Sequence, residues 1–331
     1  MARGSGIIEV EAFLKEESIM DKVLVGKLIK ERRKAEKCTQ EDLCLGICSV
    51  TSLSRIENGN AGTRESNYIP SLFERLGMSA DSIDEIKSED DYSVRQMIRQ
   101  ANQADVLGDR AEAWRIVRET RERIDKSTND ISLANEQRLS VLETQLYRGD
   151  NKISVEEELK RLEKALRMTA VNYSHDNLPQ YMTNMECQIL SEIAIAYSKL
   201  GQLETAIAID SHVKEFEEFY IEDKIVAANN LTILCYNLSK MYGLVGKYSE
   251  CVAVARDGIN WHKFTGIQST LPLTMYNCAW SLARRNEFGD IAEAKKLAYE
   301  SLEITNFLSK YDQVSPTLAG SIQRLIDEYH L

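Results

Sequence analysis

Apolar positions recur along this chain at the three- and four-residue spacing typical of amphipathic helices. Leu24, Leu28 and Ile29 predict a first helix over residues 23–35, and a similar run predicts another over residues 66–76. Beyond these, long stretches rich in alanine, leucine and glutamate favour helix, and only 4 of the 331 residues are proline. The pattern predicts an all-α protein.

Capping signals near the N-terminus predict two short helices with a tight turn between them. Thr39 followed by Gln40 begins the first helix, and Ser49 begins the second, which ends at Asn58-Gly59. The apolar residues expected to face inward from these two helices are Leu43, Leu53 and Ile56.

This pair of helices resembles the helix-turn-helix of Cro/repressor-type DNA-binding domains, although its turn at residues 45–48 is one residue shorter than is usual there. In that family a TQ-x-x-L helix precedes a recognition helix that ends in S-R-I-E-x-G. The matching residues here are Thr39, Gln40, Leu43, Ser54, Arg55, Ile56, Glu57 and Gly59. The resemblance implies that the first helix crosses the DNA backbone while the second lies in the major groove.

The same resemblance implies which side chains contact DNA. Val50, Thr51 and Ser52 would lie at base edges, whereas Gln40 and Arg55 would contact phosphates, Gln40 also bracing the recognition helix. The remaining residues of the predicted DNA-binding set are Ser49, Lys27 and Arg33. A small helical domain used only for protein contact is the alternative interpretation.

Charge is distributed unevenly along the chain. The net charge of −11 argues against a protein that coats nucleic acid along its whole length. Residues 20–80 contain 5 Lys and 5 Arg against 8 acidic residues, a balance of +2, so the remaining residues carry −13. Six of the cations lie within residues 27–37, along one predicted helix. A basic run beside a helix-turn-helix favours phosphate contact over a merely solvated face.

The rest of the chain repeats itself. A tyrosine, a glycine four residues later and a small residue five further on recur, with alanine replacing the tyrosine in the weakest copy. The copies are Tyr197, Gly201 and Ala206; Tyr242, Gly246 and Cys251; and Ala104, Gly108 and Ala113. This resembles the tetratricopeptide repeat (TPR), a helix pair whose glycine closes the turn and whose small residues allow close packing. About five pairs are expected between residues 93 and 310, followed by a capping helix that starts at Ser315-Pro316.

TPR pairs stack into a right-handed α-solenoid whose concave side is lined by the first helix of each pair, so the resemblance predicts a groove. Asparagine can donate to a carbonyl and accept from an N–H of an extended peptide, and aromatic residues would bind its apolar side chains. The predicted peptide-binding residues are Asn230, Tyr236, Asn237, Lys240, Tyr276, Asn277 and Trp280. The residues expected to face inward from the preceding pair are Ser191, Ile195 and Ser198. Packing between repeats is the alternative role for each of them.

Other chemistry is not indicated. The seven cysteines are spread through predicted helices and are interpreted as reduced, buried thiols, and no paired histidine or cysteine spacing predicts a metal site. The sequence contains no nucleophile elbow or phosphate-binding loop, so we expect neither catalysis nor a cofactor. No apolar run approaches the roughly 20 residues of a membrane-spanning helix.

These observations divide the chain into four predicted segments. Residues 1–19 are set aside as cloning-derived or disordered, and residues 20–80 form the helix-turn-helix domain. Residues 81–92 are an acidic linker helix, and residues 93–331 are the TPR-like domain with its capping helix.

A Cro-like domain followed by TPR-like pairs resembles the peptide-pheromone-responsive transcriptional regulators of Gram-positive bacteria (the Rap/Rgg/NprR/PlcR/PrgX group), over roughly residues 20–331. The resemblance implies a cytoplasmic transcription factor that dimerises through its TPR region, binds a double-stranded DNA operator and is controlled by a short signalling peptide, with no membrane partner. Two alternatives stay open: the same architecture controlled by a protein partner or by no ligand, and a TPR scaffold or adaptor without DNA binding. The presence of Gln40, Arg55 and the basic helix argues against the second.

Overall fold

The computed structural model of the chain describes residues 25–26, 29–34, 36–76, 89–128, 131–221, 224–311, 314 and 316–331. Two compact units are present, Met1–Ile189 and Leu190–Leu331. The segment 1–19, and the predicted linker helix except for residues 89–92, lie outside the described residues.

Within the part of the chain that is described, regular structure is helical, and there is no β-strand. The helices that begin in the first unit are α1 (helical at 25–26 and 29–34), α2 (Gln40–Cys44), α3 (Val50–Glu57), α4 (Thr63–Ser66), α5 (Ile69–Arg75), α6 (Glu89–Val106), α7 (Arg110–Lys126), α8 (Leu133–Gly149), α9 (Val155–Leu166) and α10 (Asn184–Lys199). The second unit continues with α11 (Leu203–Tyr220), α12 (Lys224–Leu244), α13 (Tyr248–Thr265), α14 (Thr270–Arg285), α15 (Asp290–Leu308) and α16 (Pro316–Tyr329). None of the described helices has the length and apolar character needed to span a membrane.

The predicted caps of the helix-turn-helix are confirmed. Thr39 and Asp42 form a reciprocal capping box at the start of α2. The Ser49 hydroxyl accepts a hydrogen bond from the Ser52 amide at 3.1 Å, which caps α3. At the other end of α3, Gly59 adopts a left-handed φ of +73°, as a helix-ending glycine commonly does.

The single helix predicted over residues 66–76 is wrong at its start, because α4 ends at Ser66 and α5 begins only at Ile69. The Glu65 carboxylate accepts a hydrogen bond from the Gly62 amide at 3.1 Å, which stabilises an earlier turn. Pro70 then lies at the start of α5, where its missing N–H costs little. The predicted core residues Leu72, Phe73 and Leu76 are buried.

The repeat prediction is confirmed by the helix pairs α6–α7, α8–α9, α10–α11, α12–α13 and α14–α15. Each predicted turn glycine has a left-handed φ: +82° at Gly108, +79° at Gly201 and +78° at Gly246. The small residues that follow, Ala113, Ala206 and Cys251, are fully buried. The capping helix α16 buries Ile322 and its apolar neighbours against α14 and α15, as expected of a terminal helix.

Within the first unit, the helix-turn-helix packs directly against the segment between α9 and α10. A Cβ atom added to Gly46, in the turn between α2 and α3, would lie 1.6 Å from the Thr169 carbonyl oxygen. Arg75 of α5 forms an ion pair with Glu186 of α10 at 2.9 Å, and both side chains are buried. The Tyr181 hydroxyl donates to the Glu36 carbonyl at 3.0 Å. The position of the helix-turn-helix is therefore fixed by specific contacts.

Candidate DNA and ligand sites

Helix α3 presents one face to solvent and buries the other. Thr51 and Arg55 are exposed, whereas Leu53 and Ile56 are completely buried, as their spacing predicted. The half-buried members of the predicted base-contact set are Val50 and Ser52. Short hydroxyl and methyl groups on this face would approach base edges closely but offer few bidentate contacts.

A buried carboxylate holds the helix-turn-helix together. Glu57, only 4% exposed, lies at the end of α3 and accepts hydrogen bonds from Arg33 Nε at 2.5 Å and Nη2 at 2.9 Å. Gln40 Nε2 donates to the same carboxylate at 2.8 Å, so the predicted bracing contact is present. This network joins α1, α2 and α3, and the bond to Glu57 raises the pKa of Arg33.

The structure gives no support for the phosphate contact expected of Arg33. Its guanidinium is occupied by Glu57 and by the Cys38 carbonyl, at 3.0 Å. Lys27 lies outside the described residues. Of the remaining basic run, Lys34 and Lys37 are exposed and face water.

Arg55, the other predicted phosphate contact, is held but accessible. Its Nη1 lies 3.0 Å from Glu65 Oε1, while 63% of the Arg55 side chain is exposed. This hydrogen bond lowers the pKa of the Glu65 carboxyl. Because Glu65 is itself anchored at the start of α4, the pair keeps the guanidinium at the end of α3.

The predicted peptide-binding asparagines of the second unit have different environments. Asn230 Nδ2 donates to Glu217 Oε1 at 2.8 Å, and Asn277 Nδ2 donates to Ser239 Oγ at 3.0 Å. Both amides therefore connect neighbouring helices. Among the described residues, Asn237 Nδ2 is buried and has no hydrogen-bond partner.

The predicted aromatic residues are likewise partly used in packing. Tyr276 and Trp280 pack against the core that α14, α15 and α16 share, and the Arg284 guanidinium lies 4.3 Å from a Trp280 ring centroid. Tyr236 is half-buried, and burial raises its pKa as it does that of Tyr276. Lys240 is exposed on α12. The rings of Tyr236, Tyr276 and Trp280 therefore each remain partly accessible to solvent.

The first helix of the preceding pair carries Ser191, Ile195 and Ser198, all half-buried. Behind it, Asp210 of α11 is fully buried, and within the described residues neither carboxyl oxygen has a hydrogen-bond partner. Burial raises the pKa of Asp210 well above its ordinary value, which the nearby Ser191 hydroxyl opposes only in part. The protonated form of this carboxyl is therefore favoured.

A cluster of arginines in the first unit was not found by sequence analysis. A cavity of about 300 Å³ lies between α6, α8 and the start of α10, and Arg95, Arg99 and Arg138 line it. The amides that line the same cavity are Asn102, Gln145 and Gln188. The sequence signal that could have indicated this cluster is Arg95 and Arg99, four residues apart on a predicted helix in a region that is acidic overall.

The surroundings of Arg138, one of the cavity arginines, shift its pKa. Burial lowers its pKa, and the neighbouring Arg95 and Arg99 add to the effect because their charges repel it, while Glu74 acts in the opposite direction. Three guanidinium groups therefore line the cavity, and the carboxylates of Glu74 and Asp91 lie near enough to Arg138 to attract it.

All seven cysteines are free thiols, as expected, and six of them are buried. Burial raises the pKa of the Cys38 thiol to about 11 and that of Cys48 to about 12. Such thiols are poor nucleophiles at neutral pH.

No protein-family model matches this sequence, and no curated protein matches it significantly. Solved structures do match. PlcR of Bacillus thuringiensis, in complex with the peptide PapR7 and DNA, aligns over 91% of this chain and 98% of its own, with a TM-score of 0.54 and 16% identity. The chain has the fold of PlcR.

Two further structures agree with this fold. PlcR in its apo form covers 92% of this chain and 98% of its own, with a TM-score of 0.53 and 16% identity. BtubC from P. vanneervenii covers 66% of this chain and 82% of its own, with a TM-score of 0.50 and 17% identity. The predicted all-α fold class, a helix-turn-helix followed by TPR-like helix pairs, is confirmed.

Proposed function

We propose that this protein is a DNA-binding transcriptional regulator whose TPR-like region binds a short signalling peptide, as in quorum sensing. The observation that carries the proposal is the exposed face of α3, held by the Glu57 network in a chain with the fold of PlcR. The PlcR structure contains both a peptide and DNA, which supports the same two ligands here.

DNA recognition would use Thr51 and its neighbours at base edges and Arg55 at a phosphate. Lys34 adds positive charge at the end of α1, and Lys37 adds it in the turn that follows. One helix-turn-helix reads too few base pairs for useful specificity, so we propose a homodimer that contacts two half-sites. The TPR-like region, which is the longer part of the chain, would form the dimer contact.

Peptide binding would use the face formed by α12 and α14 in the second unit. Lys240 is exposed there, and the rings of Tyr236, Tyr276 and Trp280 are partly accessible. Since Asn230 and Asn277 already bond neighbouring helices, Asn237 is the predicted asparagine best placed to gain a partner when a peptide binds.

The test is a fluorescence-anisotropy titration of the chain against duplex DNA from upstream of its own gene, over a range of salt concentrations. Arg55→Ala should weaken binding to all duplexes about equally and reduce the salt slope by about 1, because a phosphate contact carries no base information. Thr51→Ala should instead change sequence preference. The same titration gives the number of chains per duplex, two being expected.

A matched control is Arg115→Ala, on α7. Arg115 is similarly exposed and ion-paired, to Glu112 and Glu119, but lies outside the helix-turn-helix. This variant should bind DNA as the parent chain does. Equal affinities for Arg55→Ala and the parent would show that α3 does not contact DNA as proposed.

A further inference from the structure

Two of the three arginines that line the first-unit cavity, Arg99 and Arg138, lack partners within the part of the chain that the structure describes. Elsewhere in the unit, Arg121 bonds Glu143 at 2.8 Å and Arg148 bonds Glu158 at 2.8 Å. Among the described residues, Arg99 and Arg138 form no hydrogen bond or ion pair, although Arg138 is half-buried. Arg99 is exposed, so only Arg138 is partly withdrawn from water. Like charges that lie close together repel, and a bound anion would relieve that repulsion.

The surroundings of these guanidinium groups show what kind of anion would fit. The cavity walls include the buried apolar side chains of Ile98, Val141 and Leu142. Gln145 and Gln188 also line the cavity, and a glutamine amide can donate to a peptide carbonyl and accept from a peptide N–H. A volume of about 300 Å³ is at the lower end of ligand pockets and suits a few residues of a peptide.

We propose that this cavity is an anion-binding subsite that takes the carboxylates of a short acidic peptide, with Arg99 and Arg138 as the binding groups. The inference rests on the proposed function, because it names the chemistry of the peptide that the regulator senses. Guanidinium groups bind carboxylates through two parallel hydrogen bonds. The apolar walls favour a peptide over inorganic phosphate, which has no apolar group to place against them.

The experiment uses isothermal titration calorimetry on the full chain. The probes are a heptapeptide that alternates leucine and glutamate, its counterpart with glutamine in place of glutamate, the amidated form of that counterpart, and inorganic phosphate. The glutamate peptide should bind more tightly than the glutamine peptide, and added salt should weaken its binding. The amidated glutamine peptide has no terminal carboxylate, so its affinity relative to the glutamine peptide measures the contribution of that terminal group.

Four variants locate the binding. Arg99→Gln and Arg138→Gln should each weaken binding of the glutamate peptide by about 10- to 100-fold, the usual effect of losing a hydrogen bond to a charged group. Arg138→Gln should also raise the thermal unfolding temperature without peptide, because it removes an unpaired charge, which shows that the variant folds. Arg118→Gln, an exposed arginine on α7 outside the cavity, should bind as the parent does. Lys240→Gln tests the face proposed in the second unit.

The outcomes separate this inference from the proposed function. Tight binding that Arg99→Gln and Arg138→Gln leave unchanged, but Lys240→Gln weakens, would overturn the cavity site and leave a peptide-controlled regulator standing. Equal binding of the glutamate and glutamine peptides would overturn the carboxylate assignment. Binding of phosphate alone would show that the cavity takes a phosphate-bearing ligand instead. If none of the probes bound, the acidic-peptide proposal would be refuted, whereas the DNA titration would still decide the regulator.

Discussion

The ion pair between Arg75 and Glu186 should be a strong determinant of stability in the first unit. Arg75 is 3% exposed and Glu186 is completely buried, so each charge depends on the other. The guanidinium also donates to the Leu45 carbonyl, and Glu186 Oε2 accepts from the Thr183 amide at 2.7 Å. Removal of either side chain would leave the other charge buried without a counter-ion.

The magnitude follows from that burial. Glu186→Leu and Arg75→Met should each lower the free energy of unfolding by about 3–5 kcal/mol, the usual cost of breaking a buried pair from one side. The double variant should lose only about 1–3 kcal/mol, because no unpaired charge remains and the main cost is a carbonyl without its donor. Strong non-additivity is therefore expected.

The assay is urea unfolding followed by far-ultraviolet circular dichroism, with hydrogen–deuterium exchange of α5 and α10 to locate the loss. As a control, Glu122→Leu breaks an ion pair with Lys126 in which the side chains are 68% and 76% exposed, and should cost at most about 1 kcal/mol. Additive losses in the double variant, or single variants no worse than this control, would refute the reasoning.

Two further predictions concern pH and buried titratable groups. Burial lowers the pKa of His262 below its ordinary 6.5, so the unfolded chain takes up a proton first as pH falls. The free energy of unfolding should therefore drop below pH 6.5, by at most about 1.4 kcal/mol per pH unit. In urea titrations His262→Gln should remove that slope, whereas His175→Gln, at an exposed site, should keep it. Burial raises the pKa of Asp210, so its contribution to stability is present at acidic pH and is lost as pH rises above about 4. Asp210→Asn should therefore raise the thermal unfolding temperature at pH 7 and have little effect near pH 4. An equal shift at both pH values would contradict the raised pKa of Asp210.

Features set by neighbouring residues were predictable from sequence. Thr39, Ser49 and the turn glycines act through hydrogen bonds and backbone angles within a few residues, so their spacing defines the helices. The roles of Arg33 and Glu57 were not predictable, because 24 residues separate them along the chain and their contact exists only after α1 packs on α3. For the same reason, Arg138 could not be placed beside Arg99, and Asn277 could not be recognised as a partner of Ser239.

The start of α10 both lines the arginine cavity and contacts the helix-turn-helix domain. Met185 and Gln188 form part of the wall of the arginine cavity, and Glu186 between them holds Arg75 of α5. Arg138 also lines the crevice where Gly46 meets Thr169. A ligand that displaces this turn would therefore directly change the Arg75–Glu186 contact that holds the helix-turn-helix. For the regulator proposed above, thermodynamic linkage requires reciprocity: whatever factor a peptide in this cavity imposed on DNA affinity, DNA would impose on peptide affinity.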